Sequence, residues 1–225
     1  MKAIILAAGR GKRLRPFTDT IPKCMVKVKH IPLLIRNINM LIRVGIDLKD
    51  VIVIIGYMEG MIRRYCALMP ATFITQFRPD GTANAVNLAK DLIDENFIVI
   101  PSDVIYEDGD ICKLMQLSNS LLYTCQNERL EEYGTMEISG TKILSINEKS
   151  TEPTSNLVNC GAYHFTKDVF EYIPKTEIDE RFNERIITNT INLMIQDGIE
   201  FTGIKIKELN EITYPEDIKI VEERI

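Results

Sequence analysis

The sequence contains no tryptophan and only two histidines, His30 and His164, which form no catalytic pair and are read as structural. Its five cysteines (Cys24, Cys66, Cys112, Cys125 and Cys160) show neither CxxC nor Cys/His ligand spacing. That excludes a disulfide frame and a zinc site and leaves reduced, mostly buried thiols of a cytoplasmic protein. Long apolar runs are missing as well. The first, Ala3 to Ala8, is too short to span a bilayer, and the Arg/Lys-rich stretch after it is unlike a signal-peptide cleavage region. The chain is therefore expected to be cytoplasmic, with no membrane partner. Excess basic charge is lacking too: the net charge is -5 and the pI about 5.3, which argues against a nucleic-acid partner.

Against that acidic background one basic cluster stands out, Arg10, Lys12, Arg13, Arg15, Lys23, Lys27 and Lys29. The remaining composition is that of a globular chain. With 225 residues, 45% hydrophobic and 26% charged, it can build one large domain around a continuous core. Short β-rich runs without polar alternation (Lys2–Leu6, Val51–Ile55, Thr72–Gln76, Phe97–Ile100) predict strands covered on both faces. Helical patterns lie between them at Leu33–Val44, Glu59–Met69 and Thr82–Ile93, the last with Gly81-Thr82 as its cap. This alternation predicts a doubly wound, mostly parallel, Rossmann-like α/β sheet in a single domain.

The second half reads as strands at Leu121–Gln126, Thr135–Ile138, Ile143–Asn147, Leu157–Phe165 and Glu200–Ile206. Helices are expected near Lys167–Tyr172 and Glu184–Gln196. A last one should start at Pro215, with Glu216 and Asp217 in its first turn, where acids suit the dipole. Residues 1–105 would form a nucleotide-binding half and 106–225 an acceptor half. One connection is anomalous. About two dozen residues, Ala7 to Pro32, separate the first strand from the first helix, and loops of that length in compact domains are usually functional or disordered.

That loop begins Leu6-Ala7-Ala8-Gly9-Arg10-Gly11-Lys12-Arg13-Leu14-Arg15-Pro16 and runs on to Pro22-Lys23. Glycines directly after a strand let backbone N–H groups approach an anion. Arg13 can grip a polyphosphate through two N–H groups, and Lys23 can add a mobile point charge. The loop is neither a Walker A motif, which needs Ser or Thr after Gly-Lys, nor a dinucleotide fingerprint, because Leu14 and Pro16 stand where a third glycine and a helix start belong. Composition alone leaves a phosphate loop and a solvated basic loop equally open.

Residue order decides between them. LAAGRGKRLRPFTDTIPK resembles the signature of the sugar-1-phosphate nucleotidyltransferases, LAAGxGxRLxPxTxxxPK, and the likeness continues through Met25-Val26-Lys27-Val28, Pro32-Leu33-Leu34 and Gly56-Tyr57. The resemblance implies an NTP and a sugar 1-phosphate as substrates and Mg²⁺ as cofactor. It assigns nucleotide binding to Leu6, Ala7, Ala8, Gly9, Gly11, Lys12, Arg13, Gln76, Pro79, Gly81 and Thr82. Arg13, Lys23 and Asp103 would be catalytic, and Asp103 and Glu211 would hold the metal. Lys23, Gly134, Glu148, Lys149 and Asn159 would meet the acceptor. Glu211 replaces the aspartate of the family's Trp-x-Asp-Ile-x-Thr-Pro-Glu-Asp segment, and the tryptophan is missing. Gln76 and the Leu-Ala-Ala-Gly opening lean towards UTP or dTTP. Glu211 and the short chain, without the β-helix extension of many relatives, favour an alternative, a CTP-dependent enzyme acting on phosphocholine. A second alternative is a regulatory homologue that binds nucleotide without turnover.

Overall fold

The structure, a computed structural model, describes residues Met1–Ile225. In chain order the strands are β1 (Lys2–Ala7), β2 (Lys27–Val28), β3 (Ile31–Pro32), β4 (Val51–Ile55), β5 (Thr72–Thr75), β6 (Phe97–Pro101), β7 (Val104–Ile105), β8 (Ser120–Cys125), β9 (Gly134–Ser139), β10 (Lys142–Glu148), β11 (Leu157–Phe165), β12 (Thr202–Lys205) and β13 (Asn210–Glu211). The helices are α1 (Leu33–Arg43), α2 (Glu59–Tyr65), α3 (Thr82–Asn87), α4 (Asp108–Leu114), α5 (Val169–Tyr172), α6 (Ile187–Gln196) and α7 (Pro215–Arg224). None is long and apolar enough to cross a membrane.

Nine strands form one sheet in the order β5-β4-β1-β6-β11-β8-β12-β10-β9. The first half is the parallel, doubly wound half that the strand–helix alternation predicts: β5, β4, β1 and β6 all run the same way. The second half makes the sheet mixed, because β11 and β10 enter antiparallel to their neighbours. Alternation along each inner strand explains the layers. Ala3, Ile5, Ala7, Val51, Val53 and Ile55 pack on one face with residues of α1, α2 and α4. Ile4, Ile52 and Ile54 pack on the other with α3, α5 and α6. Both faces of these strands are thus buried, as their unbroken apolar runs demand.

A third, smaller cluster bears on the site. Leu14, Val26 and Val28 pack with Ile212 and Val221, so the segment after β1 rests on the C-terminal helix. The long Ala7–Pro32 connection is therefore ordered, with three 3₁₀ turns at Lys12–Leu14, Phe17–Asp19 and Lys23–Met25 and the β2–β3 hairpin. Lys29 and His30 close that hairpin at φ 45° and 65°, the left-handed pair of a two-residue turn.

Some elements depart from the sequence reading. Thr82 does not cap α3; its Oγ1 instead accepts the Ile187 N–H at 3.0 Å. The helix expected from Glu184 begins only at Ile187. The cause is Arg185: its N–H donates to Asp80 O (2.9 Å), and its carbonyl accepts from Ala83 N (3.0 Å) and so does not serve as the helical acceptor for Asn189 N. α4 has no counterpart in the sequence pattern, because seven residues with Gly109 in the first turn carry no usable period. The cysteines are all free: Cys24, Cys66 and Cys160 are buried, while Cys112 and Cys125 are exposed. Burial pushes the Cys24 thiol up to about 12.

Candidate active site

At the carboxyl end of β1 the chain does not enter a helix. Gly11 adopts φ 61° and its carbonyl accepts from Leu14 N (3.0 Å) and Thr18 Oγ1 (2.8 Å). A Cβ on Gly11 would stand 2.9 Å from the Lys23 Cβ, so glycine here lets Lys23 pack against the loop. Of the seven residues in the basic cluster, Arg10, Lys12, Arg13 and Lys23 line a common cleft of about 700 Å³ together with Gly9, Gly11, Pro79 and Asp103. The others turn away: Arg15 pairs with Asp19 at 3.0 Å, Lys29 bonds to Ile225 O, and Lys27 is exposed.

Asp103 lies just past β6, and its carboxylate accepts from the Lys23 ammonium. The pair is 14% and 21% exposed, so it is less screened than the surface pairs. The β7–β13 ribbon brings the tail alongside: Glu211 pairs in register with Val104, and Ile212 N donates to Asp103 O at 2.9 Å. Burial, and then the Asp103 charge, hold the Glu211 carboxyl above the usual carboxylate range. Lys23 pairs with Asp103, and both Lys23 and Arg13 act on Glu211, so two carboxylates stand together among cations. A hard divalent cation fits that donor set, because Mg²⁺ takes one or two carboxylates and completes its shell with water and phosphate oxygens.

A second cleft of about 380 Å³ opens beside the first, and Arg13, Asp103 and Glu184 line both. Its walls carry Thr82, Gly134, Glu148, Lys149, Asn159 and Glu211. Each is fixed in place. Asn159 donates to Tyr163 Oη at 2.6 Å and accepts from Gly161 N at 3.0 Å. Glu148 accepts from Thr188 Oγ1 at 3.0 Å, and burial raises its pKa. A Cβ on Gly134 would lie 2.9 Å from Glu148 Oε2, so any larger residue would crowd that carboxylate. The Lys149 ammonium sits 5.2 Å from the Phe182 ring centroid.

Five residues singled out from the sequence, Leu6, Ala7, Ala8, Gln76 and Gly81, line neither cleft. Gln76 lines a separate hollow with Asp80, Asn84 and Arg185 that shares no lining residue with either cleft, and its amide N–H₂ donates to Asp80 Oδ1 (2.8 Å) and Gly81 O (3.1 Å). Those two acceptors fix the amide's orientation and leave Oε1 without a donor. Gly81 meets the Arg185 backbone, joining the 76–82 segment to the 179–187 segment. Leu6 and Ala7 end β1, with Ala7 buried, and Ala8 O accepts from Tyr57 N at 3.2 Å. Neither histidine lines these two clefts.

Sequence reasoning missed Glu132, Phe182, Glu184 and Thr188, which also line the second cleft. They stand in irregular segments or at a helix start, with no period or glycine to mark them. The one usable signal was the acidic run Glu131-Glu132 directly before Tyr133-Gly134.

Comparison with known proteins identifies the family. The family model described as Nucleotidyl transferase matches residues 2–208. The bifunctional protein GlmU of Methanocaldococcus jannaschii is 36% identical over 221 residues, covering 97% of this chain and 52% of GlmU. The chain thus spans about half the length of such GlmU relatives. The UTP–glucose-1-phosphate uridylyltransferase AglF of Haloferax volcanii is 31% identical over 237 residues, covering 100% of this chain and 96% of AglF. Among solved structures, UDP-glucose pyrophosphorylase complexed with UDP-glucose superposes with a TM-score of 0.87 at 20% identity, covering 99% of this chain and 97% of that one.

Proposed function

The chain belongs to the nucleotidyl transferase family, and on that premise we propose that it joins the nucleoside monophosphate of UTP or dTTP to a sugar 1-phosphate, releasing pyrophosphate. The observation that carries this reading is the junction of the two clefts. A basic, glycine-lined phosphate cleft and a polar cleft suited to a hydroxylated acceptor share Arg13 and Asp103, with Lys23 and Glu211 against them. An acceptor phosphate in one cleft therefore approaches the α-phosphorus of a nucleotide in the other.

A phosphate oxygen of the acceptor attacks the α-phosphorus in line. The new P–O bond forms as the bond to the bridging oxygen of the β-phosphate breaks, and the electron pair leaves with pyrophosphate. The nucleophile is already anionic, so no general base is required; the protein orients the reactants and neutralises charge. Arg13 and Lys12 face the leaving pyrophosphate, Lys23 the reacting phosphates, and Lys149 the acceptor phosphate. Gly134, Glu148 and Asn159 form the floor against sugar hydroxyls. Asp103 and Glu211 would hold Mg²⁺, which supplies charge neutralisation at the phosphates. Residues 1–105 thus carry the nucleotide and most of 106–225 the acceptor, with Glu211 returning to the metal.

For the base, Gln76 Oε1 is free to accept the imide N–H of uracil or thymine, and the names of AglF and UDP-glucose pyrophosphorylase point the same way. The test crosses UTP, dTTP, CTP, ATP and GTP with sugar 1-phosphates and phosphocholine, reading pyrophosphate release. UTP or dTTP with a sugar 1-phosphate is the expected productive pair. Gln76→Ala should lower kcat/KM for that nucleotide by about tenfold, the loss of roughly one well-made hydrogen bond. Turnover only with CTP and phosphocholine would overturn the reading.

A further inference from the structure

We propose that Glu132, together with Tyr214, is a positioning residue that holds Arg13 ready for the pyrophosphate end of the nucleotide. The inference rests on the function proposed above. Arg13 is 45% exposed and follows a glycine loop, where a long side chain would sample many rotamers and lose that freedom when a ligand fixes it. It is instead held from two sides. Its Nη1 donates to Glu132 Oε2 at 2.5 Å, and its guanidinium lies 5.6 Å from the Tyr214 ring centroid.

The holder is itself anchored. Glu132 Oε1 accepts from the Tyr214 hydroxyl at 2.8 Å. A second guanidinium, Arg129, lies 5.1 Å from the same ring centroid and donates to Asp217 Oδ1 at 3.2 Å. Asp217 Oδ2 in turn accepts from Thr213 N (2.8 Å) and Tyr214 N (2.7 Å), capping α7. Arg13 is thereby tied to the turn that follows Glu211, so one piece of backbone sets both the carboxylate beside Asp103 and the arginine of the phosphate loop.

Two readings of Glu132 are chemically open, and they differ in sign. A carboxylate beside Arg13 can position it, or it can compete with the incoming polyphosphate. Charge balance favours positioning. Arg13 and Arg129 offset Glu132 and Asp217, so the cluster brings no net negative charge to an anion site. Glu132 also uses only one guanidinium N–H group and leaves the others to bind phosphate in two-toothed fashion.

Isothermal titration of inorganic pyrophosphate, in the presence of Mg²⁺, into the wild-type chain and into Glu132→Ala, Glu132→Asp and Tyr214→Phe separates these readings. Positioning predicts about tenfold weaker pyrophosphate binding in Glu132→Ala. It also predicts partial recovery in Glu132→Asp, a smaller loss in Tyr214→Phe, and, in Tyr214→Phe, whose ring lines neither cleft, a rise in KM for the nucleotide but not for the acceptor. Unchanged or tighter binding in Glu132→Ala, or an equal rise in acceptor KM in Tyr214→Phe, overturns the proposal. Should Glu132→Ala not fold, unchanged or tighter binding in Tyr214→Phe does so. A wild-type chain that binds no pyrophosphate would instead refute the function on which the inference rests.

Discussion

Replacing Asp103 by asparagine is expected to lower kcat by at least roughly a thousandfold while leaving the fold intact. The substitution preserves shape, and the backbone contact that fastens the tail, Ile212 N to Asp103 O, does not involve the side chain. What changes is charge. The carboxylate that pairs with Lys23 and faces Glu211 becomes a neutral amide. On the function proposed above, a divalent cation would keep only one carboxylate, and Lys23 would lose its partner. Steady-state kinetics at saturating Mg²⁺, with a thermal melt as control, reads both consequences. A variant that keeps more than about a tenth of wild-type turnover would put the charge-neutralising centre elsewhere.

The largest stability effect is expected from Gly81→Ala. Gly81 adopts φ 109°, where an L side chain is strained, and an added Cβ would stand 2.2 Å from Arg185 O and 2.6 Å from Arg185 N. Those are backbone atoms already bonded to Ala83 and Asp80, so no rotamer change relieves the clash. The 76–82 and 179–187 segments must separate, at a cost of about 3 kcal/mol or more, which lowers Tm by roughly 10 °C in a chain of this size. Gly9→Ala is the control: nothing lies within 4 Å of its added Cβ, so its melt should stay close to wild type. If Gly81→Ala melts like Gly9→Ala, the packing of these two segments is not what requires the glycine.

The same two segments explain what could and could not be read in advance. The strands of the parallel half were legible because runs such as Val51–Ile55 are apolar on both faces, which few other structures require. The family was legible in the loop after β1 because an ordered string of glycine, basic residues and proline is improbable by chance. The start of α6 was not, since its delay to Ile187 depends on Arg185 pairing with residues about a hundred positions away. The β7–β13 ribbon was equally hidden. Two residues per strand carry no period, yet the pairing sets Glu211 beside Asp103. The Arg13–Glu132–Tyr214 cluster joins three distant segments through side chains alone, and no local pattern encodes it.

The most direct test of the central claim is ³¹P NMR of the wild-type chain with Mg²⁺, UTP and glucose 1-phosphate. The account predicts that the triphosphate and monoester resonances fall together while a diphosphate diester and free pyrophosphate appear in equal amounts, and that omitting either substrate or Mg²⁺ abolishes both products. Appearance of UDP with inorganic phosphate, or a spectrum that stays unchanged with every nucleotide and sugar 1-phosphate supplied, would contradict it.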